Sequence, residues 1–395
     1  MPDHPLPRPV LRALNARPAE WEGRRGLVLE DPLGLIEGAV FVPEHLVPVL
    51  ARLDGTRTTA DIEQEYAAAG DPLPDGFLLD LLRQLDEGLL LEGEVLHTTI
   101  ERTATAFLAA GLRPAHSAGT HGYPEDPDAC REALCAMLGP PPRVTAPTAR
   151  GLIAPHIDLG RGADGYAAAY RALASHEPAE LFVVLGTGHG GPRSVLTGLT
   201  LDWETPLGRM RTDRNFVERV HRALGDPHPQ DILLHRDEHS LEFQMLMLAH
   251  LFGDRDVAVA GFLCGDLRCA EDDAEPVIAA LRDAARADGR RITFIAGADL
   301  AHIGPSFGDE RPLDQDALAA LAKRDEARLM HLRRGDPQRF REAIAQDDNA
   351  DRVCSTTAIW VCARLCEGPA HLLHYGQAAD PDGAQCVSFC GAVFA

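Results

Sequence analysis

The sequence predicts an α/β fold, with a central, mostly parallel sheet covered by helices on both faces and preceded by a small α+β domain. Three observations lead there. After residue 150, apolar runs of strand length alternate with helical patterns. Residues 1–100 show instead short helices and a few β-like segments. Between the two patterns, GPPPRVTAPTAR at 139–150 is a Pro-rich connector. The expected domains are therefore 1–100 and 151–395, with 101–150 joining them.

From Gly26, LVLEDPLGLIEGAVFVP gives short β-like segments, and EHLVPVLARL places apolar residues at helical spacing. In DGTRTTADIEQEYAAAG, Thr58 or Thr59 suits a helix N-cap, and Asp61 and Glu63 fall in the first turn, where the helix dipole favours acids. A further helix, DGFLLDLLRQLDEG, would be capped by Asp75 and stopped by Gly88, and LLLEGEVLHTTI reads as a small hairpin. Three short helices followed by a β-wing make a winged-helix-like module. The segments LDGTRTTADI and LLRQLDEGLLLEG resemble PqqD-like peptide-binding domains. That resemblance implies peptide or partner docking, with a purely structural appendage as the alternative. The region has no cluster of Lys or Arg to neutralise phosphates, which argues against DNA binding.

In the second part, GLIAPHID, ELFVVLGTGH, DVAVAGFLCGD, RITFIAGADLAH and AQCVSFCGAVFA read as buried strands. Helical patterns separate them: GADGYAAAYRALASH, HSLEFQMLMLAHLF, AEPVIAALRDAARAD and DALAALAKRDEARLMHLRR. No internal repeat at a solenoid period is present.

Composition narrows the functions. A net charge of -22 would repel nucleic acid and an anionic bilayer surface. No run reaches the length of a membrane span, and MPDHPLPRP lacks the features of a signal peptide, so a cytoplasmic location is expected. The nine cysteines, Cys269 among them, are an odd number for a disulfide framework, and most are expected to be reduced and buried. Cys362 and Cys366 sit at i,i+4 on a helical pattern, which favours core packing over metal binding.

Histidines carry the chemical signal. In open α/β sheets, ligands bind where strands end, because the loops there converge on one crevice. His156 follows GLIAP, His189 follows LFVVLGTG, and His302 follows ITFIAGADLA. Glycines around His189 let the backbone turn sharply. Imidazole suits Fe, Zn, Cu and Ni, and sites of this kind keep positions open for water, O2 or substrate. We therefore take His156, His189 and His302 as candidate metal ligands. The cluster HRDEHSLEFQM adds Glu238, His239 and Glu242, with Ser240 as a possible helix cap. His239 would act as acid or base, and Glu238 and Glu242 would orient it or the ligands. The candidate catalytic residues are His239, Asp299 and Glu238.

At this point the chain resembles the Memo family, which is similar in fold to class III extradiol dioxygenase (LigB-like) enzymes. The resemblance rests on RPAHSAGTHGYPEDPDACREAL, GLIAPHIDL, VVLGTGHGG, DWETPLGRMRTD, DEHSLEFQMLML and AGADLAHIG, over about residues 112–395. It implies that His156 and His189 ligate metal and that His239 is the acid/base. In some members a cysteine precedes the histidine corresponding to His302, where this chain has Ala301. Either His302 or Asp299 then supplies the third ligand, or metal is bound weakly or not at all. The resemblance also implies a partner system with a radical-SAM or AMMECR1-like protein.

The expected function is a metal-dependent redox or dioxygenase-like enzyme using Fe2+, with Zn2+ or Cu as alternatives. Its substrate would be a small molecule or peptide. The other readings are a non-catalytic metal- or peptide-binding partner protein and a zinc hydrolase whose activity is insensitive to O2.

Overall fold

A computed structural model describes residues 7–120, 122–266 and 274–395. Cys269, His121 in the resemblance segment, and Met1–Leu6 of the N-terminal stretch lie outside the described residues. The chain forms two compact units, 1–106 and 107–395.

In the first unit, β1 (Asn15–Trp21), β2 (Arg24–Glu30) and β3 (Ala39–Pro43) form an antiparallel sheet. Helices α1 (Val47–Leu50), α2 (Thr59–Ala68) and α3 (Phe77–Glu87) follow, and α4 spans Glu94–Ala109. Thr58 caps α2 as expected, in a reciprocal capping box with Asp61. Gly76, with φ 75°, replaces Asp75 as the N-cap of α3. Leu78, Leu82 and Leu85 recur at helical spacing and bury against Leu50, Leu53 and Ile62.

Two expectations fail in this unit. The sheet precedes the helices instead of following them. Its first strand, NARPAEW, is almost wholly exposed and so carries no alternating apolar signal. LLLEGEVLHTTI is no hairpin, because from Glu94 it enters α4, where Leu96, Ile100 and Ala104 bury one face at four-residue spacing. That packed face outweighs the β propensity of Val95, Thr98 and Thr99.

The second unit opens with β4 (Leu112–Arg113), α5 (Pro127–Leu138), β5 (Gly151–Ala154), α6 (Ala163–Ala174) and β6 (Leu181–Thr187). Strands β7 (Leu196–Gly198), β8 (Asp202–Thr205) and β9 (Gly208–Met210) lead to α7 (Arg214–Leu224), α8 (Pro229–Leu234) and α9 (His239–Phe252). Then come β10 (Ala258–Cys264), α10 (Ala274–Asp288), β11 (Ile292–Gly297) and β12 (Asp299–Ile303). Helices α11 (Gln315–Arg333), α12 (Pro337–Ala345) and α13 (Thr356–Cys366) precede the closing pair β13 (His371–Ala379) and β14 (Cys386–Phe394).

The large sheet is mixed and flanked by helices, in the order β12-β14-β5-β11-β6-β10-β7, with β13 also on β14. Its centre is parallel: β5, β11, β6 and β10 run the same way. Its flanks are antiparallel, β7 on β10, and β14 against β5, β12 and β13. The short link between β13 and β14 allows an antiparallel pair, whereas each parallel pair needs a helical crossover. Strands β5 and β6 are buried throughout, as double-sided cover requires. Helix α9 is buried from Ser240 to Ala249, so its polar Glu242 and Gln244 must find partners inside the protein.

Candidate metal centre

The carboxyl ends of the parallel strands deliver the site. His156 lies two residues past β5, His189 two past β6, and Asp299 two past β11, at the start of β12. His239 is the first residue of α9. The rings of His156 and His189 are 5.0 Å apart, those of His156 and His239 5.4 Å, and those of His189 and His239 5.0 Å. Donor atoms of these three side chains all fall within 4.8 Å of one another, so the trio could hold a metal ion.

Two of the rings are oriented through Nδ1, which leaves Nε2 for the centre. His156 Nδ1 lies 2.9 Å from the Gly297 carbonyl, and its backbone N–H donates to Asp299 Oδ1 at 2.9 Å. His189 Nδ1 lies 3.0 Å from both Glu238 oxygens, and its backbone N–H donates to Oε2 at 3.1 Å. Glu238 is also the N-cap of α9, accepting from Ser240 N at 2.9 Å. The cap is thus Glu238, not Ser240. The Ser240 hydroxyl instead ties α9 to β6, accepting from Thr187 N and donating to Thr187 O, both at 3.0 Å. Glycine is required at position 186, where a Cβ would lie 2.5 Å from Ser240 Oγ.

Polar groups of α9 hold the surrounding loops. Gln244 donates to the Pro155 carbonyl at 2.8 Å, next to His156, and accepts from the Tyr170 hydroxyl at 2.7 Å. Glu242 pairs with buried Arg113 and accepts from Tyr123 and Ser117 N. Arg113 also donates to the carbonyls of Glu238, at 2.9 Å, and His235, at 3.0 Å. Glu242 therefore supports the segment before the site and does not orient a histidine directly.

His302 does not join the trio. Its Nδ1 is 3.2 Å from the carbonyls of Leu300 and Arg352, and its ring packs edge-on to Phe307. The sequence offset from Asp299 explains this. Alternation along β12, together with the irregular register between Asp299 and His302 on β14, carries His302 away from the strand end. Asp299 does reach the site, with Oδ2 3.5 Å from His156 Nε2.

A residue that sequence reasoning missed stands there instead. Cys354 Sγ is 3.5 Å from His156 Nε2 and 3.2 Å from Ser355 Oγ, and His189 acts on the thiol electrostatically. It arrives on the loop before α13, while position 301 is a buried alanine. Its neighbour Ser355 accepts from Thr187 Oγ1 at 2.9 Å and from Asp299 N at 3.1 Å, joining the loop to β6 and β12. The loop is conformationally demanding, with Asp348, Asn349 and Arg352 all at φ 53–54°. Asn349 clamps it, accepting from Val353 N at 2.7 Å and donating to Val353 O at 3.1 Å. The available signal was a Cys-Ser-Thr-Thr run entering a helix.

Electrostatics separate the roles of these groups. Burial opposes charge on Cys354, yet His156 and His189 hold its thiol down to about 6. Burial likewise opposes charge on His189, but Cys354 and Glu238 push it up to about 11. Glu238, though buried, is held well below the usual carboxylate range by His189. His239 goes the other way, down to about 3, through burial and the neighbouring His156. Burial raises Asp299 to about 6.

The fold and this centre define an α/β protein with a histidine cluster at the carboxyl ends of a parallel sheet core. The family model for Memo-like protein matches residues 113–393, and the chain belongs to that family. It is 28% identical over 320 residues to a MEMO1 family protein of Aquifex aeolicus, covering 80% of this chain and 83% of the relative. A MEMO1 family protein of Thermus thermophilus is 26% identical, with 71% of this chain and 82% of the relative covered. An uncharacterized protein of Escherichia coli K12 aligns structurally with a TM-score of 0.36 and 13% identity, covering 62% of this chain and 99% of that one. Among the described residues no helix is long and apolar enough to cross a membrane.

Proposed function

We propose that the protein is a metal-dependent redox enzyme, with Fe2+ held by Nε2 of His156, Nε2 of His189 and the sulfur of Cys354. The observation that carries this reading is a pair of imidazoles 5.0 Å apart, each fixed through Nδ1, with an ionisable thiol 3.5 Å from His156 Nε2. Imidazole and thiolate donors suit Fe, Zn and Cu and disfavour Mg and Ca, which prefer oxygen. A bound ion would supply Lewis acidity and, if iron or copper, electron transfer. Neutral His239, beside the two ligands, is placed to take or give a proton. Asp299 fixes the backbone of His156, and Glu238 fixes the ring of His189.

Zinc hydrolysis is the alternative chemistry, and the same donor set accommodates it. A radical-SAM or AMMECR1-like partner and a peptide ligand for the first unit belong to this proposal, as does the small-molecule substrate. Anaerobic reconstitution with Fe2+, Zn2+ or Cu followed by elemental analysis tests it. One equivalent of metal is expected in the wild type, lost in His156→Ala and His189→Ala and retained in His239→Gln. A wild-type protein that takes up none of the three ions would defeat the proposal.

A further inference from the structure

The loop that brings Cys354 to the centre carries a buried acid three residues earlier. Asp351 is 6% exposed, and its carboxylate is taken by two arginines of α11. Arg324 donates through Nε to Oδ2 and through Nη2 to Oδ1, both at 2.8 Å, and Arg328 Nη2 lies 2.7 Å from Oδ2. Arg328 is itself buried and reaches on, through Nη1, to Asp325 Oδ1 at 3.1 Å. Asp325 Oδ2 accepts from Ser388 Oγ of β14 at 2.6 Å and from the Tyr375 hydroxyl of β13 at 3.0 Å. A chain of polar and charged groups thus runs from the sheet, through α11, to the loop.

Backbone contacts tie the same loop to β12. His302 N donates to the Asp351 carbonyl at 2.8 Å, and Arg352 Nη1 donates to the His302 carbonyl at 3.0 Å. Asp348, Asn349 and Arg352 are held in left-handed backbone, which non-glycine residues keep only where the surroundings over-determine it. Apolar packing would cover such a loop as well, and replacing buried ion pairs by apolar residues often costs no stability. It would not fix the loop's register. A carboxylate gripped by a planar guanidinium fork has one geometry, which sets direction as well as distance.

We propose that Asp351, gripped by Arg324 and Arg328, is the positioning group for Cys354, fixing the loop so that the thiol lies against His156 Nε2. The inference rests on the reading of Cys354 as a metal donor. Cys354 Sγ is 3.5 Å from His156 Nε2, and on its far side Ser355 is tied to Thr187 and Asp299. Between Asp351 and Cys354 lie Arg352 and Val353, and Val353 is closed on the Asn349 side chain. Both sides of the sulfur are therefore tied down.

Anaerobic titration of the full-length protein with Co2+ tests the proposal, because a thiolate ligand adds an intense near-ultraviolet charge-transfer band that imidazole ligands do not. Wild type should bind one equivalent and show the band, and Cys354→Ser, its reference, should bind without it. Asp351→Asn keeps the size of the side chain and leaves Arg328 paired with Asp325. It should still take Co2+ on the two imidazoles, with the band per bound ion reduced severalfold and affinity lowered about 10–100-fold. Arg324→Gln, at an arginine whose side chain is 43% exposed, should give a smaller change in the same direction, and it tests the grip even if Asp351→Asn does not fold. A general loss of stability would lower occupancy and leave the band per bound ion unchanged. A wild-type band per bound ion in the folded variants would overturn the positioning role alone. No difference between wild type and Cys354→Ser would overturn the reading of Cys354 as a donor, and the inference with it.

Discussion

The carboxylate of Glu238 holds His189 at two points, its ring Nδ1 at 3.0 Å and its backbone N–H at 3.1 Å, while capping α9 through Ser240 N. One side chain therefore sets both the helix start that presents His239 and the orientation of His189. Glu238→Ala should lower metal affinity about 10–100-fold, the cost of losing a partner that orients a ligand. It should also cost about 1 kcal/mol in the cap. Competition with a chromophoric chelator measures the first effect, and unchanged affinity would refute the orienting role.

Cys354 should be the most reactive described thiol in metal-free protein. Its ionisation near pH about 6 means that alkylation rises as pH climbs through that value, instead of near about 8.5 as for an unperturbed cysteine. Burial pushes Cys390 up to about 12, so it should stay inert at neutral pH. Peptide mass spectrometry after pulsed iodoacetamide, across pH 5–9, resolves the sites. Bound Zn2+ should protect Cys354, and a rate at this residue that is half-maximal near pH 8.5 would contradict the assignment.

Stability should fall on mild acidification because His235 is buried and kept neutral. Burial, then the adjacent Arg113 guanidinium, holds it down to about 3, whereas the unfolded chain takes up the proton near about 6.5. Between those values the unfolded state binds the extra proton, so the stabilisation is fully present above about pH 6.5 and is lost as pH falls towards 3. From pH 7 to 5 this residue alone should account for a loss of about 2 kcal/mol. Urea midpoints at both pH values, compared with His235→Gln, test this. A variant with the same pH slope as wild type would exclude His235 as the cause.

In the first unit, Asp31 pairs with buried Arg12 at 2.6 Å and accepts from the N–H groups of Leu33, Leu35 and Ile36. Asp31→Ala strands a buried guanidinium and should destabilise this unit by about 3–5 kcal/mol. Limited proteolysis should then cut within residues 7–106 well before the rest of the chain. Equal protease resistance in variant and wild type would show that the pair is not needed.

Much of the second unit was legible because its signals are local. The apolar runs ending in His156 and His189 are strands, and HSLEFQMLMLAHLF is α9 over its full length. Those runs are long, and a buried strand or helix is apolar on every face. The first unit was less legible, since NARPAEW pairs through its backbone with β2 and needs no apolar side chains to do so. His302 was misleading because proximity in sequence to a strand end does not fix which way a side chain leaves the strand.

What the sequence determined by itself was the long buried strands and helices of the second unit and two of the site's histidines, since periodicity and strand-end position are properties of short segments. The tertiary structure alone decided who joins them. Cys354 meets His156 across 3.5 Å although 198 positions separate the two in the chain. That approach depends on the parallel order of β5, β11 and β6, on Ser355 pinning its loop to two strands, and on Asn349 holding the loop in left-handed backbone. The Ser355 bonds and the strand pairings are long-range, the Asn349 clamp is an irregular loop contact, and none leaves a periodic trace in the residues that make it.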